Sequence, residues 1–193
     1  MTDSVYYLSI SKNKKGASAM KKLINTILKT GSLFLIIAVI FATGCQQQSD
    51  DSKKQVEANI KMYTYVWDEI LNKGNIDMID SHFAKDYVNK TVTSTVNGQA
   101  EAKEFFGAFL TGFSDINFVV DEIFGVDDRV VKLWTFNATH SGEFAGIPAT
   151  GNKISLKGVS VSRIVDGKIS EELDYMDDLG FLQQLGVIPP MDQ

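Results

Sequence analysis

The chain has 193 residues, 44% of them hydrophobic, which is enough for one domain with its own core. The first 44 residues hold six of the 19 basic side chains and one of the 24 acidic ones, so the rest of the chain has 13 basic and 23 acidic side chains, a net charge of −10. This acidic balance, with no basic patch, excludes nucleic acid and anionic lipid surfaces as partners.

The first 44 residues have the pattern of a bacterial export signal. A lysine pair precedes an apolar run, residues 33–42, which is shorter than the roughly 20 residues of a membrane-spanning helix. Small residues then precede Cys45, the only cysteine of the chain, as in a bacterial lipobox. We expect a signal peptide that starts at Met1 or Met20, and a lipid on Cys45. The alternative is a free thiol behind an uncleaved anchor.

These features predict three parts. Residues 1–44 are the expected signal peptide, residues 45–54 a polar lipidated tether, and residues 55–190 the folded domain. The lipid alone would attach the exported protein to the membrane. The expected localisation is therefore the bacterial cell envelope.

Helices are expected first in the folded domain. Apolar residues at steps of three and four predict an amphipathic helix over residues 56–71. Residues 76–83 predict a short second helix and residues 97–113 a third. One face of the third carries three phenylalanines: Phe105, Phe109 and Phe113.

Beyond Ser114 the apolar residues alternate, which predicts strands. The four predicted strands are residues 116–126, 129–140, 153–165 and 168–178. Asp166 and Gly167 between the last two form the strongest short hairpin signal, and residues 181–186 predict a closing helix. Segregated helices and strands indicate an α+β fold, in which a curved sheet with helices on one face encloses a pocket for a small ligand.

The hairpin turn sets the pairing of the last two strands, with Val165 opposite Lys168. In an unbroken register the further expected pairs are Leu156 with Asp177, Ser160 with Leu173, and Ser162 with Glu171. Asp177 and Tyr175 then share a face. Only a bulge would bring Arg163 into the same pocket.

Residues 139–154, THSGEFAGIPATGNKI, connect two predicted strands. Gly146 and Gly151 have the spacing of a P-loop, but Asn152 stands where that motif has lysine, and a strand follows instead of a helix. This excludes a phosphate-binding loop. The two histidines of the chain, one of them His140, belong to no metal-ligand motif, so we expect no metal and no other cofactor.

Several stretches of the chain carry the motifs of one family. They read NKGNIDMIDSHFAKDYVNK at residues 72–90, ATHSGEFAGIPATG at 138–151, RIVDGKISEELDYMDD at 163–178 and FLQQLG at 181–186. Together they resemble the SnoaL-like polyketide cyclases, or ester cyclases, of the nuclear-transport-factor-2-like superfamily. The resemblance implies a cone-shaped, mostly antiparallel sheet packed against N-terminal helices. Three positions depart from the family pattern: Lys90, Asn152 and Leu173.

The resemblance also implies a mechanism. The family closes a ring by an intramolecular aldol step without a metal, and the position of its proton-transferring aspartate corresponds to Asp177. An apolar pocket would raise the pKa of this carboxyl group and make it a usable base near neutral pH. The alternative is that Asp177 caps the closing helix.

Four more side chains are candidates for substrate binding: His140, Trp134, Tyr175 and Arg163. The two on the second predicted strand share one face of it, Tyr175 shares the face of Asp177, and the family's second polar partner falls near Arg163. The alternative for His140 and Trp134 is a place in the core.

Two functional hypotheses follow. The first is a cyclase or isomerase that acts on a small apolar carbonyl or ester compound with Asp177 as acid/base. The second is a non-catalytic lipoprotein that binds a small apolar molecule in the cone, and a third reading is an interaction module. Valines on the outer sheet face, Val159, Val161 and Val165, predict a homodimer through that face.

Overall fold

The computed structural model describes residues 51–189 and the single residue Asn25. The predicted signal peptide, the predicted lipidation site Cys45 and residues 46–50 of the predicted tether therefore lie outside the described part, apart from Asn25. Residues 51–189 belong to one compact unit. No helix among the described residues is both long and apolar enough to cross a membrane.

Helices and strands occur in the order that the sequence predicts, with two additional strands. The helices are α1 (residues 51–67, continued by a π-helical turn, Asp68–Asn72), α2 (Met78–His82), α3 (Gly98–Gly112) and α4 (Asp178–Gln184). The strands are β1 (Phe83–Lys90), β2 (Thr95–Asn97), β3 (Phe113–Val126), β4 (Arg129–His140), β5 (Lys153–Val165) and β6 (Lys168–Met176).

The six strands form one sheet in the order β2-β1-β6-β5-β4-β3, in which only the β1–β6 pair is parallel. The predicted α+β fold is confirmed. β1 and β2 were not predicted, because β2 has only three residues and β1 follows α2 without a turn. In β1 the buried side chains include Phe83, Tyr87 and Asn89. Charged residues stand between Phe83 and Tyr87, so the sequence does not show the apolar alternation of a strand.

The β5–β6 hairpin begins as predicted and then departs from the expected register. Asp166 and Gly167 both have positive φ, as a type I′ turn requires, and Val165 pairs with Lys168. A bulge at Ser170 then shifts the pairing by one residue, and Ser170 Oγ donates a hydrogen bond of 3.1 Å to the carbonyl of Arg163.

The shift exchanges the two faces of β6, because side chains alternate along a strand. The observed pairs are Arg163 with Glu171, Ser162 with Glu172, and Ser160 with Asp174. The predicted register was therefore wrong beyond the bulge. Glu172 and Asp174 lie on the concave face with the two serines, while Glu171 and Tyr175 lie on the outer face.

The core lies between the concave face of the sheet and helices α1 and α3. Helix α1 contributes Tyr63, Trp67 and Ile70, spaced by four and three residues as the apolar stripe predicts, and all three are buried. The rings of Trp67 and Phe106 of α3 meet edge to face, with centroids 4.8 Å apart.

The π-helical turn that ends α1 holds the edge strand β3. Asn72 Oδ1 accepts a hydrogen bond of 2.7 Å from the backbone N–H of Phe118, and Asn72 Nδ2 donates one of 2.9 Å to the carbonyl of the same residue. The turn thus pairs an edge backbone that would otherwise be open.

The glycine-rich connection between β4 and β5 is tied to the end of α3. The N–H groups of Ser141 and Gly142 donate hydrogen bonds of 3.0 and 2.9 Å to the carbonyl of Gly112. A side chain at position 142 would collide with the carbonyl of Thr111. A strand follows this connection, as predicted. The glycine-rich motif therefore has a structural role, linking β4 to β5 and to the end of α3.

Candidate active site

A cavity opens between helices α1 and α3 and the concave face of the sheet. Its empty volume is about 580 Å³, counted out to the open mouth. Most of the wall is apolar: Trp67, Leu71, Phe105, Phe106, Phe109, Phe118, Trp134, Phe136, Leu156 and Met176. Four polar residues complete the lining: Thr91, Lys132, Ser160 and Asp174. This is the composition expected of a site for an apolar molecule with a few oxygen functions.

Trp134 owes its position in the wall to the residue beside it on β5. Its indole lies against Gly158, where a Cβ atom would collide with the ring. The indole Nε1 donates a hydrogen bond of 3.0 Å to Ser160 Oγ. The missing side chain therefore allows the ring to lie against the sheet.

Asp174 is the carboxylate that lines the cavity. Asn89 Nδ2 and Ser160 Oγ donate to its two oxygens, at 2.8 and 2.5 Å. Burial raises the pKa of Asp174, and its two hydrogen bonds and the charge of Lys132 lower it by less. A cavity carboxyl group with a raised pKa is suited to accept and return a proton.

Glu172 lies beneath the cavity and is only 1% exposed. It accepts hydrogen bonds from Tyr63 Oη, from Ser162 Oγ at 3.0 Å and from Tyr87 Oη at 3.0 Å. Burial, followed by the charge of Asp174, raises the pKa of Glu172 to about 7, although the charge of Lys132 and the bonds from Tyr63 and Ser162 lower it. Glu172 therefore exchanges protons near neutral pH without being part of the cavity wall.

Lys132 is the cation of the site and is 2% exposed. Its Nζ lies 4.0 Å from the ring centroid of Trp67, 4.8 Å from that of Tyr63 and 5.1 Å from that of Phe118. The nearest carboxylate oxygen is Glu172 Oε1, at 3.9 Å. Burial lowers the pKa of Lys132 to about 8, although the two carboxylates oppose this shift.

Apart from the ammonium group of Lys132, three buried polar atoms have no hydrogen-bond partner within the described residues: Trp67 Nε1, Asn89 Oδ1 and His140 Nε2. Trp67 belongs to the cavity wall, and Asn89 is bonded to Asp174. An unpaired buried donor such as the Trp67 N–H is costly to the fold.

Of the five candidate catalytic and substrate-binding residues that the sequence suggested, only Trp134 lines the cavity. Asp177, the predicted acid/base, is exposed, and its Oδ1 accepts a hydrogen bond of 2.9 Å from the N–H of Gly180 as the N-cap of α4. The alternative of a capping role therefore describes its position, because the bulge in β6 moves the inward carboxylate to Asp174.

Two other candidates lie on the outer face of the sheet, Tyr175 because of the bulge and Arg163 because it alternates with the inward-facing serines of β5. Tyr175 is 52% exposed. Arg163 forms ion pairs with Asp128 at 2.7 Å and with Glu171 at 3.6 Å. The bulge therefore does not bring Arg163 to the cavity, and neither residue can contact a ligand there.

His140 occupies the core position that the sequence left open as the alternative. It is fully buried beside the Phe113 ring, with ring centroids 5.2 Å apart. Its Nδ1 lies 2.9 Å from Thr150 Oγ1 and accepts a hydrogen bond of 3.3 Å from the N–H of the same residue. His140 does not line the cavity. Its contacts with Thr150 hold the two ends of the β4–β5 connection together.

Sequence reasoning missed Lys132, Glu172 and Asp174. One signal was available for Lys132, which shares the inward face of β4 with Trp134 and is the only charged residue on it. The two carboxylates carry no such signal, because their orientation depends on the bulge. No group of three or more His, Cys, Asp or Glu side chains in residues 51–189 is arranged to hold a metal ion.

We predict that the buried carboxylates make stability fall as pH rises. Between about pH 4.5 and about pH 7 the folded state holds a proton on Glu172 that the unfolded state has lost, and the raised pKa of Asp174 acts in the same direction. Urea unfolding should show a loss of roughly 1–3 kcal/mol over this range. Glu172→Gln should remove most of the slope.

The matched control is Glu171→Gln, the neighbouring glutamate on the outer face. It should keep the slope of the parent protein. Equal slopes for the two variants would show that Glu172 is not the titrating group.

Comparison with known proteins shows the family to which this chain belongs. A family model described as SnoaL-like polyketide cyclase matches residues 61–185. The aklanonic acid methyl ester cyclase DauD of Streptomyces sp. (strain C5) is 31% identical over 125 residues, which cover 61% of this chain and 76% of that protein. The nogalonic acid methyl ester cyclase of Streptomyces nogalater is 30% identical over 128 residues, which cover 63% of this chain and 93% of that protein.

Solved structures show the same fold. A SnoaL-like protein from Jannaschia sp. CCS1 superimposes with a TM-score of 0.64 at 21% identity, over 70% of this chain and 95% of its own. At that identity the likeness concerns the fold alone. The match of the family model to residues 61–185 covers more than half of the sequence, and the chain therefore belongs to the SnoaL-like polyketide cyclase family.

Proposed function

We propose that the protein is a cyclase or isomerase that acts on a small apolar carbonyl or ester compound, with Asp174 as its acid/base. The observation that carries the proposal is the position of Asp174: it is the only carboxylate among the residues that line the cavity. The ester cyclase activity of the two relatives supports the reaction class.

The proposed reaction needs only proton transfers and one new bond. Asp174 takes a proton from a carbon next to a carbonyl group, and the resulting carbanion equivalent attacks a second carbonyl carbon of the same molecule. The new alkoxide takes the proton back from Asp174, so no atom is gained or lost. Lys132, the only cationic side chain among the lining residues, is the group available to the carbonyl oxygen or carbon.

The aromatic wall supports a planar ligand. Trp67 and Trp134, the only two tryptophans of the chain, both line the cavity, so tryptophan fluorescence reports on its occupancy. Such walls bind by burial of apolar surface, which favours a polyketide-like ring system over a polar metabolite.

We predict that Asp174→Asn abolishes ring closure of aklanonic acid methyl ester, the compound named in the activity of one relative. Loss of the proton-transferring group should lower kcat by at least about 100-fold. Asp177→Asn is the matched control and should leave kcat unchanged, since Asp177 only caps α4.

An unchanged rate in Asp174→Asn would contradict the assigned role. If the parent protein quenches its tryptophan fluorescence with this ester but forms no product, the second hypothesis, a non-catalytic ligand-binding protein, replaces the enzyme.

We also propose that the outer sheet face forms a homodimer. Two cross-strand rows on this face are apolar or aromatic: Leu133, Val159 and Tyr175, and beside them Val131, Val161 and Leu173. Leu133 and Tyr175 are 37% and 52% exposed. A second copy of the same face would cover both rows.

Val159→Lys, at the centre of this face, should dissociate the dimer because a buried unpaired ammonium is costly. Sedimentation equilibrium at micromolar concentration measures the change. Val126→Lys, at the exposed end of β3, is the control and should remain dimeric. A parent protein that sediments as a monomer would refute the proposal.

We propose, finally, an exported protein anchored through a lipid on Cys45. The apolar run and the small residues before this cysteine support the assignment. In Triton X-114 partitioning, the protein from cells should enter the detergent phase, whereas Cys45→Ala should remain in the aqueous phase. Identical partitioning of both would exclude lipidation at this site.

A further inference from the structure

The buried amine of Lys132 has an unusual set of neighbours. It lines a cavity whose wall is mostly aromatic, and Nζ lies against the rings of Trp67, Tyr63 and Phe118. Within the described residues its ammonium group donates no hydrogen bond. A structural buried lysine normally bonds to a carboxylate or a carbonyl oxygen, so this amine is available to a ligand.

The carboxylate nearest to Lys132 is engaged elsewhere. Glu172 Oε1 lies 3.9 Å from Nζ, beyond hydrogen-bond distance, and already accepts bonds from Tyr63 and Ser162. Glu172 is therefore close enough to exchange a proton through a small movement, but it does not hold the ammonium in a tight ion pair.

We propose that Lys132 Nζ attacks the carbonyl carbon of the ligand and forms a transient imine. This inference rests on the proposed function, because it specifies how the same cavity activates its carbonyl substrate. A lysine desolvated in an apolar pocket is one of the recognised forms of an activated amine nucleophile.

The protonation equilibrium supports this geometry. An ordinary lysine is a free amine in roughly one molecule in 3,000 at pH 7. Burial lowers the pKa of Lys132 to about 8, which raises the free fraction to roughly one in ten. The raised pKa of Glu172 also favours the free amine of Lys132, since Glu172 can hold the proton that Lys132 loses.

The steps balance without any further reactant. The free amine adds to the carbonyl carbon, and the carbinolamine takes the proton held by Glu172 and loses one water to give the iminium ion. Asp174 then removes the proton from the adjacent carbon, the enamine attacks the second carbonyl carbon, and the new alkoxide takes the proton back from Asp174. Addition of one water to the iminium ion returns the other proton to Glu172, releases the product and restores Lys132.

The test uses the full-length protein and 2,4-pentanedione, a diketone that condenses with amines to a stable enaminone. We expect Lys132 to be modified at least about tenfold faster than Lys157, an exposed lysine of β5. Peptide mass mapping locates the adduct, whose mass is that of the diketone less one water. The rate should rise with pH through about pH 8, where the pKa of Lys132 lies.

Lys132→Met should lose the fast reaction, and Lys157→Met should keep it. The mapping of the parent protein is decisive even if Lys132→Met does not fold. An unmodified Lys132 at the time when Lys157 has reacted overturns the imine.

The result is separable from that for the proposed function. Ring closure that depends on Asp174, together with an unmodified Lys132, would leave the cyclase standing and reject only the imine. An adduct on Lys132 with no ring closure would support the reactive amine and reject the cyclase.

Discussion

The bulge at Ser170 decides which side chains the cavity contains. One additional residue in β6 turns Glu172 and Asp174 toward the concave face and sends Glu171 and Tyr175 outward. The same strand in unbroken register would place an apolar leucine beside Ser160 and would send Glu172 and Asp174 to the outer face. A backbone irregularity, rather than any one side chain, is therefore the origin of the chemistry.

The two carboxylates that this shift turns inward form a small electrostatic system with the ammonium group of Lys132. Two carboxylates and one ammonium share a space from which water is mostly excluded, and five side chains donate to or surround them without adding charge: Tyr63, Tyr87, Asn89, Ser160 and Ser162. Hydrogen bonds compensate only part of the desolvation, so proton positions in the cluster remain easily changed. Stability alone does not require a buried charged cluster, since replacing one with apolar side chains often stabilises a fold as well or better.

The regular parts of the fold follow from the sequence, and the irregular parts do not. The apolar stripe of α1, the alternation in β3 to β6 and the Asp166–Gly167 turn each have a local signal, and each was predicted. Ser170 has no such signal, because a small polar residue in a strand is ordinary. Its consequence is nonlocal: Asp177, which the family resemblance implied as the acid/base, lies three residues from the carboxylate that lines the cavity.

The contact between Trp134 and Gly158 has a consequence for the cavity wall and for its carboxylate. The indole lies against the sheet only because position 158 has no side chain. A single added methyl group would collide with the indole, and any shift of the indole would also move the N–H that donates to Ser160 Oγ. One backbone position on β5 is thus coupled both to the shape of the cavity wall and, through Ser160, to the hydrogen bonding of Asp174.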